Sequence, residues 1–298
     1  MVDLGYAAGW RLVRTLPRPV AAAGFNVVAD RVARRGGTAA RRLAGNLRRV
    51  VGPDLPEADL AELVRAGMRS TLRYYLEAFR LPARSPRQVL TDFELENRHL
   101  IDADLEAGRG CVVALPHAGN WDAAGAWAVA SGWSLVTVQE RLRPESLFRR
   151  FVAYREKLGM EILPAKGGTR PPLEVLTERL RQGCMVALLA DRDLSTRGVE
   201  VTFFGGRTRM PAGPALLALQ TGAPLYAMAM WYGPRRAHGA LLGPVELPAR
   251  GSLDERVRYT TQLIADALAS GIAAHPADWH MLQPLWLSDL PAPAPLTR

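Results

Sequence analysis

The sequence predicts an α/β fold in which helices flank a central, largely parallel sheet. Short apolar runs of strand length alternate with longer segments of helical periodicity over residues 93–272. This alternation favours βαβ units, because a crossover helix lets the next strand join the same sheet in parallel. At 298 residues, with 48% hydrophobic and 22% charged residues, the chain can bury a full core and is typical of a folded globular protein.

The elements are predicted in chain order from the spacing of apolar residues and from Gly and Pro turns. A long apolar stripe predicts a helix over residues 55–81, ahead of the alternating part. Strands are predicted at residues 93–96, 111–115, 134–138, 161–163, 184–190, 199–204, 224–231 and 240–247. Helices are predicted at residues 97–108, 122–130, 146–158, 171–182, 212–221 and 254–272.

The positive charge is concentrated at the start of the chain. Residues 1–50 hold ten Arg and two Asp, which is +8 of the total net charge of +9. Trp10, Phe25, Val28 and Val32 are interleaved with these arginines at helical spacing. We predict that residues 1–50 are amphipathic helices that associate with an anionic membrane surface. An ordinary packed helix with a solvated basic side is the alternative.

Residues 51–288 are predicted to form the α/β domain, and residues 289–298, rich in Pro and Ala, a disordered tail. The apolar start of the chain leads into arginines rather than a cleavage site, so no secretory signal is predicted. Residues 210–234 are uncharged and long enough to cross a bilayer, but they contain Pro and a Thr-Gly-Ala-Pro turn. We therefore expect a helix, a turn and a buried strand there, and a protein that does not span a membrane.

The two cysteines do not indicate a disulfide, and two histidines near the end of the chain do not indicate a metal site. Cys111 and Cys184 both lie in apolar, strand-like runs, which predicts buried thiols. A Cys111 nucleophile is an alternative, although a strand interior disfavours a thiolate. His275 and His280 are five residues apart, so they do not share one helical face as a zinc pair would. No P-loop and no G-x-S-x-G elbow occurs, which disfavours ATP-dependent chemistry and a serine hydrolase.

The stretch from Cys111 to Asp122, Cys-Val-Val-Ala-Leu-Pro-His-Ala-Gly-Asn-Trp-Asp, is the strongest functional signal. His117 follows a strand directly, and ligand crevices of open α/β sheets lie beyond the carboxyl ends of the strands. Asp122 is predicted in the first turn of the next helix, where the helix dipole favours a carboxylate. An ionised Asp that holds one imidazole N–H leaves the other ring nitrogen free to take a proton. We therefore predict that Asp122 orients His117 as a general base.

Three polar clusters also follow strand-like runs and are expected to open onto the same crevice. They are Gln139-Glu140-Arg141, Asp191-Arg192-Asp193 and Arg207-Thr208-Arg209. Any one of them is more typical of solvated loop residues. Their succession around a His–Asp motif favours a shared site.

These motifs resemble the H-x4-D family of glycerolipid and lysophospholipid acyltransferases over roughly residues 40–288. Pro-His-Ala-Gly-Asn-Trp-Asp is most similar to the lipid A acyltransferase-like branch, and within it to the phosphatidylinositol mannoside acyltransferases. The closing segment 275–286 departs from the lipid A enzymes, which favours the mannoside branch. The resemblance implies the glycerolipid acyltransferase fold, with Glu140 and Arg155 in a second sequence block and Asp191 and Glu200 in a third. Clusters and resemblance together give these candidate substrate-binding residues: Glu140, Arg141, Arg155, Asp191, Arg192, Glu200, Arg207, Arg209 and His275.

The activity that the resemblance implies is transfer of a long fatty acyl chain, palmitoyl for example, from acyl-CoA to a mannose hydroxyl of a phosphatidylinositol mannoside. Acyl-CoA is then a co-substrate, no cofactor or metal is expected, and the protein is peripheral at the cytoplasmic face of the cell membrane. Acylation of another lysolipid or a lipid A-like glycolipid is an alternative. A non-catalytic basic module that docks on membranes or RNA is another; RNA is disfavoured because no base-stacking motif is present.

Overall fold

A computed structural model describes residues 13–141, 144–193 and 198–289. Its centre is a seven-stranded, mostly parallel sheet flanked by helices, as predicted. The nine strands are β1 (Phe93–Glu96), β2 (Cys111–Leu115), β3 (Leu135–Gln139), β4 (Glu161–Pro164), β5 (Met185–Leu189), β6 (Val199–Phe203), β7 (Gly206–Met210), β8 (Leu225–Tyr232) and β9 (Ala237–Leu242).

The described helices surround this sheet, and some of them precede it in the chain. They are α1 (Arg18–Arg35), α2 (Thr38–Val51), α3 (Glu57–Arg80), α4 (Pro86–Asp92), α5 (His99–Glu106), α6 (Trp121–Ala130), α7 (Glu145–Lys157), α8 (Pro172–Arg181), α9 (Gly213–Thr221) and α10 (Leu253–Ala274). Short 3₁₀ turns follow at Leu81–Ala83, Pro276–Asp278 and Leu287–Asp289. Across these described parts of the chain, we find no helix with the length and apolar character needed to cross a bilayer.

The strand order β1-β9-β8-β2-β5-β3-β4 places β2 at the middle of the sheet, in parallel with β5 on one side and β8 on the other. Every residue of β2 is buried, which explains its uninterrupted apolar sequence. In the β2–β5 register, Leu115 lies opposite Leu189. The residues that follow these two strands therefore emerge side by side at one edge of the sheet.

The structure differs from the prediction in three elements. Val199–Phe203 does not join the main sheet; it pairs antiparallel with β7 in a separate hairpin, so Arg207 and Arg209 lie on a strand rather than in a loop. Residues 86–92 form a helix that was not among the predicted elements, and a capping box between Ser85 and Gln88 starts it. The last strand lies at Ala237–Leu242, so it begins three residues and ends five residues earlier than predicted, because it continues the hairpin from β8.

The N-terminal segment is helical where it is described, in α1 and α2, while Trp10 lies outside the described residues. The predicted apolar stripe is divided between two environments. Val32 packs against a small core built around Ala29, Leu43 and Leu47. The exposed apolar residues of α1 are Val20, Val27 and Val28, of which Val27 is 64% exposed.

Candidate active site

His117 and Asp191 form the centre of the candidate site. Each lies two residues beyond the register pair Leu115–Leu189, so the sheet itself brings them together. His117 Nδ1 is 2.6 Å from Asp191 Oδ1, and the His117 backbone N–H donates to Asp191 Oδ2 at 2.9 Å. Since a carboxylate only accepts, the ring nitrogen facing it carries the proton. The His117 side chain keeps 23% of its surface exposed, whereas that of Asp191 has none.

Three hydrogen bonds hold the buried Asp191 carboxylate in its ionised form. Burial by itself would raise the pKa of Asp191. The charge of His117 and hydrogen bonds from the His117 ring, the Trp279 indole and the His117 backbone lower it below the usual value instead. The Trp279 Nε1–H donates to Asp191 Oδ2 at 2.9 Å. Asp191 is thus a fixed anion beneath the imidazole.

Asp122 does not make the contact predicted for it, and the prediction that it orients His117 is wrong in this respect. Arg155 donates to its two carboxylate oxygens at 2.6 and 3.2 Å, and the Tyr74 hydroxyl donates at 3.0 Å. Asp122 is only 2% exposed. From the first turn of α6 its side chain points toward α7, where Arg155 also donates to Gln139 at 2.6 Å. Asp191 therefore makes the contact with His117 that was predicted for Asp122. Asp122 instead forms a buried ion pair that joins α6 to α7.

The segment Asp278–His280 fastens the His117 loop from the other side. The backbone N–H of His280 donates to the His117 carbonyl at 2.7 Å, and that of Gly119 donates to the Asp278 carbonyl at 2.9 Å. Gly119 has a φ of +55°, and a Cβ there would lie 3.0 Å from the Trp231 nitrogen, so a side chain would not fit against β8. Trp279, which sequence reasoning did not single out, belongs to the same segment as the predicted His275.

A cavity of about 430 Å³ opens beside His117. Its wall is mainly apolar, with Leu173, Leu176, Leu188 and Leu217 among its residues. Its polar lining residues are His117, Glu140, Lys166, Arg192 and Asp193. An apolar cavity with a few convergent polar groups is typical of a ligand site. This one has the character expected for a long hydrocarbon chain with a polar end at the histidine.

The other candidate residues are only partly brought together. Glu140 and Arg192 line the cavity and form an ion pair at 3.3 Å. Arg155 is buried behind them with Asp122, and Arg141 pairs on the surface with Glu145 at 2.9 Å.

Four candidate residues lie elsewhere and do not line this cavity. Glu200 pairs with Arg209 at 3.0 Å and also with Arg207, and both pairs lie on the β6–β7 hairpin. His275 ends α10, with its ring stacked 4.5 Å from that of Trp231. The expectation that the 207–209 cluster opens onto the His117 crevice is therefore wrong, since these two arginines pair with an acid of their own hairpin.

Within the described ranges of the chain, neither a reactive thiol nor a metal cluster lies beside the histidine. Cys111 is buried at the start of β2, where burial raises the pKa of its thiol to about 12. Among the residues that the structure describes, no three His, Cys, Asp or Glu side chains are grouped to bind a metal ion. The chemistry available at this site is that of an imidazole with one N–H fixed by a carboxylate. Its Nε2 is then an acceptor, suited to remove a proton from a hydroxyl.

The chain is similar over nearly its whole length to known acyltransferases. The family described as bacterial lipid A biosynthesis acyltransferase matches residues 2–288. A protein named phosphatidylinositol mannoside acyltransferase, from Mycolicibacterium smegmatis, is 49% identical over 97% of this chain and 93% of its own length. The protein of the same name from Mycobacterium tuberculosis is 48% identical over 97% of this chain and 89% of its own length.

Proposed function

Because the chain belongs to the bacterial lipid A biosynthesis acyltransferase family, we propose that it transfers a long-chain fatty acyl group from acyl-CoA to a mannose hydroxyl of a phosphatidylinositol mannoside. Its membership makes it an acyltransferase. The choice of acceptor rests on the two mycobacterial relatives, which are similar over almost the whole chain. The observation that carries the mechanism is the His117–Asp191 pair beside an apolar cavity.

In the proposed reaction, His117 Nε2 takes the proton of the acceptor hydroxyl while the hydroxyl oxygen attacks the thioester carbon. The C–S bond then breaks, an ester remains, and the CoA thiolate receives the proton from His117. Asp191 stabilises the transient imidazolium and keeps Nε2 toward the acceptor. A positioned general base contributes roughly 10²–10⁴-fold to such a step.

The cavity lining fits the proposed donor. The leucine-rich wall suits an acyl chain, and the cationic side chains of Lys166 and Arg192 suit the phosphates of CoA. A smaller cavity of about 70 Å³ shares Val138 and Leu189 with the first and extends to Trp127 and Trp133. We propose that the acyl chain occupies the larger cavity and extends toward the smaller one past these shared residues.

Acyl transfer is tested by incubating the purified protein with palmitoyl-CoA and a dimannosylated phosphatidylinositol, with product mass as the readout. The expected product is heavier than the acceptor by one palmitoyl group, and each transfer releases one CoA thiol. A lysophospholipid and a lipid A precursor serve as competing acceptors. Preferred acylation of either would replace the proposed acceptor, and turnover with palmitoyl-loaded carrier protein alone would replace the proposed donor.

We also propose that α1 and α2 attach the protein to an anionic membrane surface. The exposed valines of α1 share its outer surface with Arg31, Arg34 and Arg35, an arrangement suited to lying in the headgroup layer. Replacing Arg31, Arg34, Arg35, Arg41 and Arg42 by Gln is expected to release the protein from anionic vesicles in sedimentation, and added salt is expected to weaken binding of the unmodified protein. Binding that ignores salt and lipid charge would refute this attachment.

A further inference from the structure

An arginine-lined cleft, separate from the apolar cavity, borders the His117 loop at Asn120. It consists of two adjoining hollows of about 130 and 410 Å³, which share Arg18, Leu76 and Glu77. The smaller of the two is called the inner hollow and the larger one the outer hollow. The inner hollow carries five guanidinium groups and two carboxylates. The residues that provide them are Arg18, Arg80, Arg84, Arg235, Arg236, Glu77 and Asp92.

Two of these cations have no carboxylate partner in the described part of the chain. Arg80 donates only to the backbone carbonyls of Val13 and Leu16, at 2.6 and 2.8 Å. Arg235 makes no ion pair with any described residue. The remaining three arginines are engaged: Arg18 with Glu77 at 3.3 Å, Arg84 with Asp92 at 2.6 Å, and Arg236 with Glu94 at 3.2 Å. The inner hollow thus keeps an excess of positive charge in a recess, which favours an anion.

The cleft is connected to the candidate catalytic loop. Asn120, three residues after His117, lines the inner hollow and donates to Glu77 at 2.9 Å. In the outer hollow, Ser70 bonds to His280, whose backbone N–H holds the His117 carbonyl. A ligand in the cleft therefore lies one loop away from the histidine.

Helix α1, which carries the exposed valines, also forms part of the cleft wall. Ala22, Phe25 and Asn26 of α1 line the outer hollow, while Val20 and Val27 face outward. A helix is about 10 Å across. A lipid lying against α1 therefore brings its headgroup within one helix diameter of the arginines.

We infer that this cleft binds the phosphodiester of the lipid acceptor and so positions its sugar at His117. Guanidinium groups recognise phosphate oxygens through paired, charge-assisted hydrogen bonds. Asn120 itself is buried and bonded to Glu77 and Ala123, so it joins the cleft to the His117 loop rather than contacting the ligand. The inference rests on the proposed acyl transfer to a phosphatidylinositol mannoside, and it adds the site that distinguishes a phosphorylated acceptor from a plain mannoside.

The binding test uses the full chain and glycerophosphoinositol, the soluble headgroup with its phosphodiester, in isothermal titration calorimetry. We expect the double variant Arg18→Gln/Arg235→Gln to bind it at least about tenfold more weakly, since hydrogen bonds to charged groups are lost. The matched control is Arg258→Gln, because Arg258 is exposed on α10 and pairs only with its neighbour Asp254. Thermal unfolding verifies that the variants are folded. Unchanged affinity in the double variant overturns the proposal.

Two further ligands identify the source of the phosphate. Competition by CoA at equal concentration would assign the cleft to the donor and overturn the inference. Inorganic phosphate that binds as tightly as glycerophosphoinositol would reduce the cleft to a general anion site and overturn it as well. Weak binding of both supports a lipid headgroup.

The kinetic test compares kcat/KM for phosphatidylinositol mannoside with that for methyl α-mannoside, which has no phosphate. In the double variant the ratio of the two is expected to fall at least about tenfold relative to the unmodified enzyme; an unchanged ratio contradicts the inference. If the unmodified protein acylates neither acceptor, the proposed function fails, whereas the calorimetric result still decides whether the cleft binds the headgroup.

Discussion

Two buried carboxylates lie on either side of the His117 loop, and their partners give them different roles. Asp191 accepts from a partly exposed histidine that faces a cavity, while Asp122 accepts from Arg155 and Tyr74 inside the protein. Burial raises the pKa of the Tyr74 hydroxyl well above its ordinary value, and nearby Asp122 raises it further, so Tyr74 remains a donor. The comparison shows that the two residues of the H-x4-D motif have different roles. His117 supplies the reactive imidazole, and Asp122 forms a structural ion pair.

The largest expected effect comes from removing the base. His117→Ala is expected to lower kcat by about 10²–10⁴-fold, because it removes the imidazole nitrogen that takes the hydroxyl proton. Steady-state CoA release measures the loss. His99→Ala is the matched control, since His99 is exposed on α5. Near-normal turnover in a folded His117→Ala protein would show that His117 is not the general base.

Exchanging each acid for its amide separates the two roles directly. Asp191→Asn is expected to lower kcat by up to roughly 10⁴-fold, since the amide neither fixes the ring tautomer nor stabilises the imidazolium. Asp122→Asn is expected to act on stability, by about 3–5 kcal/mol, because it leaves the buried Arg155 cation without its partner. Denaturant unfolding and turnover of the folded fraction measure the two effects.

The rescue variant Asp122→Asn/Arg155→Leu sharpens this test. Removing both charges is expected to restore much of the lost stability, because replacing a buried ion pair by apolar groups is often nearly neutral. No rescue is expected for Asp191→Asn. If Asp122→Asn instead abolished turnover at full stability, Asp122 would contribute to chemistry and the division of roles would be wrong.

The sequence was sufficient for the positions of most of the elements but not for the partners of their side chains. The apolar run 111–115 and the turn after it locate His117 at a strand end. Its contact with Asp191 depends on β5 lying beside β2, which is a property of sheet order and not of local spacing. The direction of Asp122 likewise depends on Arg155, contributed by a helix 33 residues away.

Local signals were available for two of the missed elements. The charged residues Arg207 and Arg209 alternate with Thr208 and Met210, and this period-two alternation is typical of a strand. Ser85-Pro86 with Gln88 is a helix-start signature. Trp279 offered no comparable signal, because its role depends on the indole reaching a carboxylate 88 residues away.

A smaller effect is expected from the pH dependence of stability near the site. Burial lowers the pKa of His280 to about 3, and the charge of His117 lowers it further while Asp191 opposes this. Between pH 6.5 and about 3 the unfolded chain therefore binds a proton that the folded protein does not, so stability falls as pH falls. The slope is at most about 1.4 kcal/mol per pH unit.

His280→Gln is expected to reduce the drop in Tm between pH 7 and pH 5. The amide can still donate to Ser70, which bonds to His280 Nε2 at 2.9 Å and to Asp278 at 2.5 Å. Burial raises the pKa of Asp278, which acts in the opposite sense at the acid end, so the variant is compared with the unmodified protein at each pH. An identical drop in both proteins would show that His280 is charged when folded.

The smallest effects are expected from replacing the two cysteines. These variants test whether His117, rather than a thiol, is the reactive group of the site. Cys111 begins β2 and His117 follows its end, so a strand of about 16 Å separates them. Cys111→Ser places a hydroxyl at a fully buried position and is expected to cost about 1–3 kcal/mol. Cys184 is only half-buried and precedes β5, so Cys184→Ser is expected to change stability by less than about 0.5 kcal/mol. Neither change is expected to alter turnover per folded molecule, and a loss of turnover in well-folded Cys111→Ser would assign the chemistry to a thiol instead.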